Sequence, residues 1–246
     1  QSARGSGGAD VGTRRARVGE QMGAGITATG YLQTDDTPVT VLDRGGGSFK
    51  GRIWTYLDPI ARQVVFDATP THERAGPEAF LTNFEGYLQA DAYTGYDALY
   101  RGRRITEVAC WAHARRRFVD ALTTDAGAAP VLALIQQLYD VEREVADAAP
   151  DTRRAVRQTA AVPLVARLDE VRHALTPRTL PKSPLGDALR YLDQQWAALQ
   201  VYLTDGQLLI DNNNAERQLR TVAVGRKNWL FAGSFEGARR AALMYS

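Results

Sequence analysis

Three segments in the first third of the chain combine β-branched and aromatic residues over lengths typical of strands. They are YLQTDDTPVTVL (Tyr31–Leu42), RIWTYLD (Arg52–Asp58) and QVVFDA (Gln63–Ala68), and Pro59 supplies a turn between the second and the third. The pattern predicts an antiparallel three-stranded meander. Pro38 follows two acids in the first segment and predicts a bulge or an interrupted ladder just after them.

Helices and strands alternate in the next part of the chain. Pro77 suits the first position of a helix, PEAFLTNFEGY. The segment Tyr87–Tyr93 predicts a strand that ends at Asp91, a short helical piece follows around Tyr96–Tyr100, and Ile105–Trp111 predicts another strand. This order indicates a mixed α/β fold whose later strands lie parallel to the first.

After Trp111 the apolar positions follow a helical period, which predicts a largely helical block up to the asparagines at 212–214. Prolines divide the block into separate helices. One amphipathic stripe has apolar residues alternating four and three positions apart: Leu185, Leu189, Leu192, Trp196, Leu199 and Leu203.

The segment that follows this block, LLIDNNNAERQLRTVAVGRKNWLFAGS, begins a new helix after Asp211 and three asparagines. Asn213 and Glu216 have the spacing of a capping box, in which two side chains satisfy free backbone donors. The alternative makes Glu216 a metal ligand, because the helix start favours an anionic carboxylate. Deciding between them requires partners elsewhere in the chain.

Composition restricts the classes of protein to consider. The chain has 246 residues, 44% of them hydrophobic, so it can bury a substantial core. Its single cysteine, Cys110, excludes an internal disulfide and a cysteine-rich zinc site, and suits a reducing compartment. No transmembrane or signal segment is predicted. Because the net charge is only +2, any nucleic-acid site must depend on local basic clusters.

Acidic residues suggest a metal site. Asp35 or Asp36 lies in the first strand, Asp91 at the end of the fourth and Glu216 at a helix start. Open α/β sheets gather ligands outside the carboxyl ends of their strands. Three convergent carboxylates suit magnesium, and two such ions support in-line displacement at phosphorus. The alternative is that these acids are ordinary turn or edge residues.

Five sequence blocks occur between about residues 31 and 246: DDTPV, GYLQADAYTGYDALY, EVACWAHARRRF, LPKSPLGDALRY and DNNNAERQLRTVAVGRKNWLFAGS. Together, and in this order, they resemble the catalytic region of transposases of the insertion sequence 66 family. The resemblance implies an α/β, ribonuclease-H-like mixed sheet with a large helical insertion before the last catalytic helix. It also implies that Asp35, Asp91 and Glu216 are the catalytic, metal-binding acids of a DDE enzyme.

The resemblance implies four sections of chain. Residues 1–30, rich in Gly, Ala and Arg, are expected to be a flexible lead-in unrelated to the family. Residues 31–124 would form the first part of the ribonuclease-H-like core, 125–205 the helical insertion, and 206–246 the last part of the core with Glu216.

Basic residues near two of these blocks are candidate DNA contacts. Arg115 and Arg116, in the family's CWAH-x-RR block, and Arg226 and Lys227 suit phosphate contacts, which position DNA without reading bases. The alternative is a solvated helix face. His113 is a candidate contact of the scissile phosphate or a structural hydrogen-bonding residue.

The function implied is magnesium-dependent DNA transposition: cleavage at transposon ends and strand transfer, with two Mg²⁺ ions for which Mn²⁺ can substitute. The implied partners are transposon-end and target DNA, a second copy in a homodimer and accessory proteins of the same element. No membrane partner is expected, and the location implied is the bacterial cytoplasm, at the nucleoid.

Two departures from the family lead us to expect a truncated copy. The lead-in contains no cysteine, although relatives carry a cysteine-based zinc motif near the N-terminus, and relatives continue beyond the position of Ser246. The first alternative is therefore a catalytically impaired remnant that only binds DNA or partner subunits. A stand-alone nuclease of the same fold is a further alternative.

Overall fold

The computed structural model describes residues 25–43, 45–102, 104–229 and 231–246, and for 226–229 it describes the backbone alone. The first 24 residues, which include most of the predicted lead-in, lie outside the described residues. The chain divides into two compact units. The first comprises Gln1–Leu88, Thr94–Thr106 and Asn214–Ser246, and the second comprises Gln89–Tyr93 and Glu107–Asn213.

The predicted meander is confirmed. Strand β1 (Tyr31–Leu42) pairs antiparallel with β2 (Ser48–Asp58), and β2 pairs antiparallel with β3 (Gln63–Thr69). The bulge predicted at Pro38 is wrong, because Pro38 pairs in register with Arg52 and the ladder continues on both sides of it.

Strand β4 (Gly86–Gln89) and strand β5 (Ile105–Val108) complete a sheet in the order β3-β2-β1-β4-β5. Both strands are shorter than predicted. Because β4 has only four residues against twelve in β1, the second half of β1 extends past it, where a proline is tolerated. The molecule is thus a mixed α/β protein with a five-stranded sheet.

The helix predicted to start at Pro77 begins and ends earlier, as α1 (Ala75–Phe80). Gly86 explains why it cannot run on to Tyr87. This glycine has φ +132°, and a Cβ placed on it would lie 2.1 Å from the carbonyl oxygen of Gly30. Only glycine accepts both constraints at the start of β4. The predicted short helix is confirmed as α2 (Asp97–Arg101), after a 3₁₀ turn.

One face of the meander carries the core of the first unit. Helices α9 (Asn213–Trp229) and α10 (Phe235–Tyr245) cover this face. Ser234 caps α10 by accepting a hydrogen bond from the Gly237 amide at 3.1 Å. The buried cluster consists of Val39, Val41, Ile53, Phe66, Ala68, Leu219, Val222, Ala238 and Ala242.

The second unit is mainly helical, as predicted. Its helices are α3 (Trp111–Leu122), α4 (Ala128–Glu144), α5 (Pro150–Val156), α6 (Val162–Leu175), α7 (Pro184–Gln194) and α8 (Trp196–Gln200). The predicted stripe from Leu185 to Leu203 is largely buried, but it is divided between α7, α8 and a 3₁₀ turn. No helix in the described part of the chain is both long and apolar enough to cross a membrane.

A buried arginine fixes the loop that leads to Asp211. Arg157 lies in a π-helical segment after α5 and is fully buried. Its guanidinium donates to both carboxylate oxygens of Glu142, at 2.7 and 2.6 Å. It also donates to the carbonyls of Tyr202, Asp205 and Leu208, at 2.7, 2.9 and 2.9 Å. All five guanidinium donors are therefore used.

Candidate functional site

The two neighbouring acids of β1 have different surroundings. Asp36 accepts a hydrogen bond from Arg52 Nη1 at 2.9 Å and lies 3.0 Å from His72 Nε2. Successive side chains of a strand point to opposite faces, so Asp35 lies on the other face of the sheet. Ion pairing thus occupies Asp36 on the face of the sheet opposite Asp35.

Asp35 shares its face with Val39 and Val41, which pack against Leu219 and Val222 of α9. Glu216 lies three residues before Leu219, so it occupies the same side of the helix one turn earlier. Two of the predicted carboxylates therefore extend from elements that pack together in the first unit. Both side chains are partly exposed.

Thr55 lies directly across from Asp35 in the β1–β2 register, on the same face of the sheet. Its side chain is fully buried, and its Oγ1 has no hydrogen-bond partner among the described residues. A buried hydroxyl without a partner is costly. The Asp35 carboxylate and the Thr55 hydroxyl both supply hard oxygen atoms, the type of ligand that magnesium prefers.

Asp91 belongs to the second unit and follows β4 by two residues. It is partly buried, and it lies close enough to Tyr191 to influence that phenol. Burial raises the pKa of Tyr191, and the charges of Asp91 and Glu107 raise it further.

The three candidate acids are divided between the two units: Asp35 and Glu216 lie in the first, and Asp91 lies in the second. Over its described residues, neither unit contains by itself three metal-binding side chains grouped around one point.

The predicted capping box at the start of α9 is wrong. The helix begins at Asn213, and this residue is hydrogen-bonded to the preceding Asp211. Asp211 Oδ1 accepts from the Asn213 amide at 3.2 Å, and its Oδ2 accepts from Asn213 Nδ2 at 2.8 Å. Because Asn213 itself lies inside the helix, its side chain donates to Asp211 and does not pair with the Glu216 amide.

Cys110 is buried at the start of α3. Burial raises the pKa of its thiol to about 12, although the backbone amides of Asn212, His113 and Ala112 act in the opposite direction. The thiol is therefore protonated and unreactive at neutral pH. His113 lies in the first turn of α3 and is partly buried.

Arg115 and Arg116 project from α3 into an open groove of about 390 Å³ in the second unit. Gln136, Tyr139 and Arg143 of α4 also line it, as does Asn213. The side chains of the other two predicted DNA contacts, Arg226 and Lys227, lie outside the described residues.

Sequence reasoning missed several residues of these sites. Thr55 is the polar member of an otherwise apolar face of β2, next to Ile53 and Leu57, a signal visible in the alternation. Gln136, Tyr139 and Arg143 recur at positions i, i+3 and i+7, so their common helix face was also visible. The partner of that face, α3, could not be identified from spacing alone.

Comparison with known proteins gives a consistent result. A sequence model of the Transposase IS66 family matches residues 10–240. The uncharacterized protein y4hP of Sinorhizobium fredii (strain NBRC 101917 / NGR234) is 30% identical over 249 aligned residues, covering 90% of this chain and 44% of y4hP. The uncharacterized protein y4jD of the same strain is 32% identical over 203 residues, covering 79% of this chain and 39% of y4jD.

The chain thus spans less than half the length of these curated relatives. The family match also extends into the segment of residues 1–30 that we expected to be unrelated to the family. The four predicted sections of the chain stay predictions.

Proposed function

Because the chain belongs to the Transposase IS66 family, we propose that it carries the catalytic region of a DNA transposase that cleaves transposon ends and joins them to target DNA. Family membership is the observation that carries this proposal. We also propose that the core is ribonuclease-H-like. The strand order β3-β2-β1-β4-β5 supports this, as does the helical segment between β5 and α9.

We propose Asp35, Asp91 and Glu216 as the ligands of two Mg²⁺ ions, for which Mn²⁺ can substitute. Two features support this assignment. Asp35 and Glu216 extend from elements that pack together, and Asp36 is already engaged with Arg52. When bound, such ions favour attack at phosphorus and stabilise the leaving oxygen. The protein's part is to hold carboxylate oxygens at fixed positions around the scissile phosphate.

The proposed reaction has two displacements at phosphorus. In the first, water attacks the phosphodiester at the transposon end, the bond from phosphorus to the 3′ oxygen breaks, and that oxygen takes a proton. In the second, the freed 3′ hydroxyl loses its proton and attacks a phosphodiester of the target. The target's own 3′ oxygen leaves and is protonated. No covalent intermediate with the protein forms in either step.

The proposed partners follow from the same premise. DNA would contact Arg115, Arg116, Arg226 and Lys227 through its phosphates, with His113 near the scissile group. A homodimer and accessory proteins of the same element would complete the complex.

A strand-transfer assay with labelled end DNA and Mg²⁺ tests the proposal. We expect cutting and joining by the wild type, and at least a hundredfold loss in Asp35→Asn, Asp91→Asn and Glu216→Gln. Exposed Glu144, at the end of α4, provides the control Glu144→Gln, which should retain activity. DNA binding without cutting by the wild type would overturn the enzymatic proposal in favour of a binding remnant, and cutting without joining would indicate a nuclease.

A further inference from the structure

The groove between α3 and α4 combines one polar face from each of two packed helices. Ala112, Arg115 and Val119 recur at i, i+3 and i+7 on α3, and Arg116 follows Arg115 at the edge of this face. Gln136, Tyr139 and Arg143 recur at the same spacing on α4, so each set lies on one side of its helix. Its volume of about 390 Å³ falls within the range of pockets that hold small ligands.

The charge of the groove is positive. Three arginines line it, and none of its lining residues is acidic. Arg115 makes no ion pair with any described residue, whereas Arg143 pairs with Asp140. Gln136 Nε2 also donates to Asp140, at 2.8 Å. Asp140 therefore holds the two α4 side chains beside each other but leaves the charge of Arg115 uncompensated.

The acid Asp211 contacts two of the residues that line the groove. Asp211 accepts from Tyr139 Oη at 2.9 Å, from the Asn213 amide at 3.2 Å and from Asn213 Nδ2 at 2.8 Å. Burial raises the pKa of Tyr139, so its hydroxyl keeps its proton and continues to donate. Asp211 thus positions Tyr139 and Asn213 at the edge of the groove.

We propose that this groove binds a phosphate ester, with Arg115 and Arg143 contacting the phosphate from opposite helices and Arg116 beside them. Arginine suits this role because its planar guanidinium matches phosphate oxygens in pairs and is always charged. The identification of the ester as a DNA strand rests on the proposed function, whereas the phosphate chemistry rests on the groove alone. The helical block would then contribute directly to DNA binding through α4.

Binding measurements on the whole chain, with EDTA and without catalysis, test this inference. The probes are a fluorescent single-stranded oligonucleotide, followed by anisotropy over a series of salt concentrations, and deoxyadenosine monophosphate, followed by isothermal titration calorimetry. We expect Arg115→Gln and Arg143→Gln each to weaken oligonucleotide binding about fivefold and to reduce the slope of log K against log salt by about 0.7.

Arg154→Gln is the matched control, because Arg154 is an exposed arginine of α5 that does not line the groove. Thermal melting verifies that all three variants fold. If Arg115→Gln and Arg143→Gln bind both probes as Arg154→Gln does, the inference is overturned. If only the mononucleotide binds, and its binding depends on these arginines, the phosphate site is supported and its ligand is a free nucleotide. The wild type could bind DNA in a way that depends on these arginines and still fail the strand-transfer assay. That result would refute the proposed function but not the phosphate site.

Discussion

Asp35 and Asp36 are adjacent in β1, yet their side chains lie on opposite faces of the sheet. The face of Asp35 packs against α9 through Val39 and Val41, whereas Asp36 pairs with Arg52 on the other face. The register with β2 continues without a break through both residues, which fixes this arrangement. Although the two carboxylates belong to consecutive residues, their roles can therefore be tested separately.

We expect Asp36→Asn to lower stability and Asp35→Asn to lower activity. The first change weakens a partly buried ion pair and should cost about 1 kcal/mol of unfolding free energy, while strand transfer persists. The second removes a proposed metal ligand, with little change in stability. Urea unfolding and the strand-transfer assay on both variants measure these effects. Full activity in Asp35→Asn together with loss in Asp36→Asn would reverse the assignment.

Alternation along β1 could be read from the sequence, and it separates Asp35 from Asp36. The face that packs against α9 could not be read, because the α9 partners of Val39 and Val41 are Leu219 and Val222, about 180 positions later in the chain. The lengths of β4 and α1 were also overestimated. The start of β4 at Gly86 requires the close approach of Gly86 to Gly30, a tertiary contact without a local signal.

Replacement of Arg157 by Met should destabilise the second unit severely. The change leaves Glu142 and three backbone carbonyls without their donor, and breaking a buried ion pair typically costs about 3–5 kcal/mol. Arg157→Lys should also destabilise, because three donors cannot replace five in the same geometry. Urea unfolding followed by circular dichroism gives the comparison. The control is Arg154→Met, an exposed neighbour, for which we expect a change near zero.

The burial of Arg157 illustrates what periodicity misses. The segment RRAVRQTAA is rich in arginine and polar residues, yet Arg157, at the start of the π-helical turn Arg157–Ala161, is fully buried. The stripe from Leu185 to Leu203 was predicted well because apolar burial depends on the pattern itself. A buried charge depends instead on carbonyls from a distant loop, which the pattern does not contain.

Cys110 should resist alkylation in the folded protein and react rapidly in urea, since burial keeps the thiol protonated.

The raised pKa of Cys110 also makes the stability of the protein depend on pH. Folding raises the thiol pKa from 9.0 to about 12, so the unfolded state loses its proton first as pH rises. The contribution of the Cys110 thiol to the unfolding free energy is fully present below pH 9 and is lost progressively as the pH rises towards 12. Urea unfolding at pH 8 and pH 10 should show a larger decrease for the wild type than for Cys110→Ala; equal decreases would contradict this.

Thr55 provides a test in which stability and activity should change in opposite directions. Its buried hydroxyl lacks a hydrogen-bond partner among the described residues and lies across from Asp35. Replacing it by the similarly shaped Val removes an unsatisfied polar atom, so we expect Thr55→Val to gain about 1 kcal/mol of stability.

If the hydroxyl positions the Asp35 carboxylate during catalysis, Thr55→Val should nevertheless lose about tenfold in Mg²⁺-dependent cutting. Thr55→Ser keeps the hydroxyl and loses a methyl group, so it should be less stable than the wild type but close to it in activity. A merely structural role predicts that activity follows stability across the three proteins. If strand-transfer rates and urea midpoints rank the three proteins in the same order, a positioning role for Thr55 is excluded. If the two orders are opposite, the result supports the placement of the reacting phosphate beside Asp35.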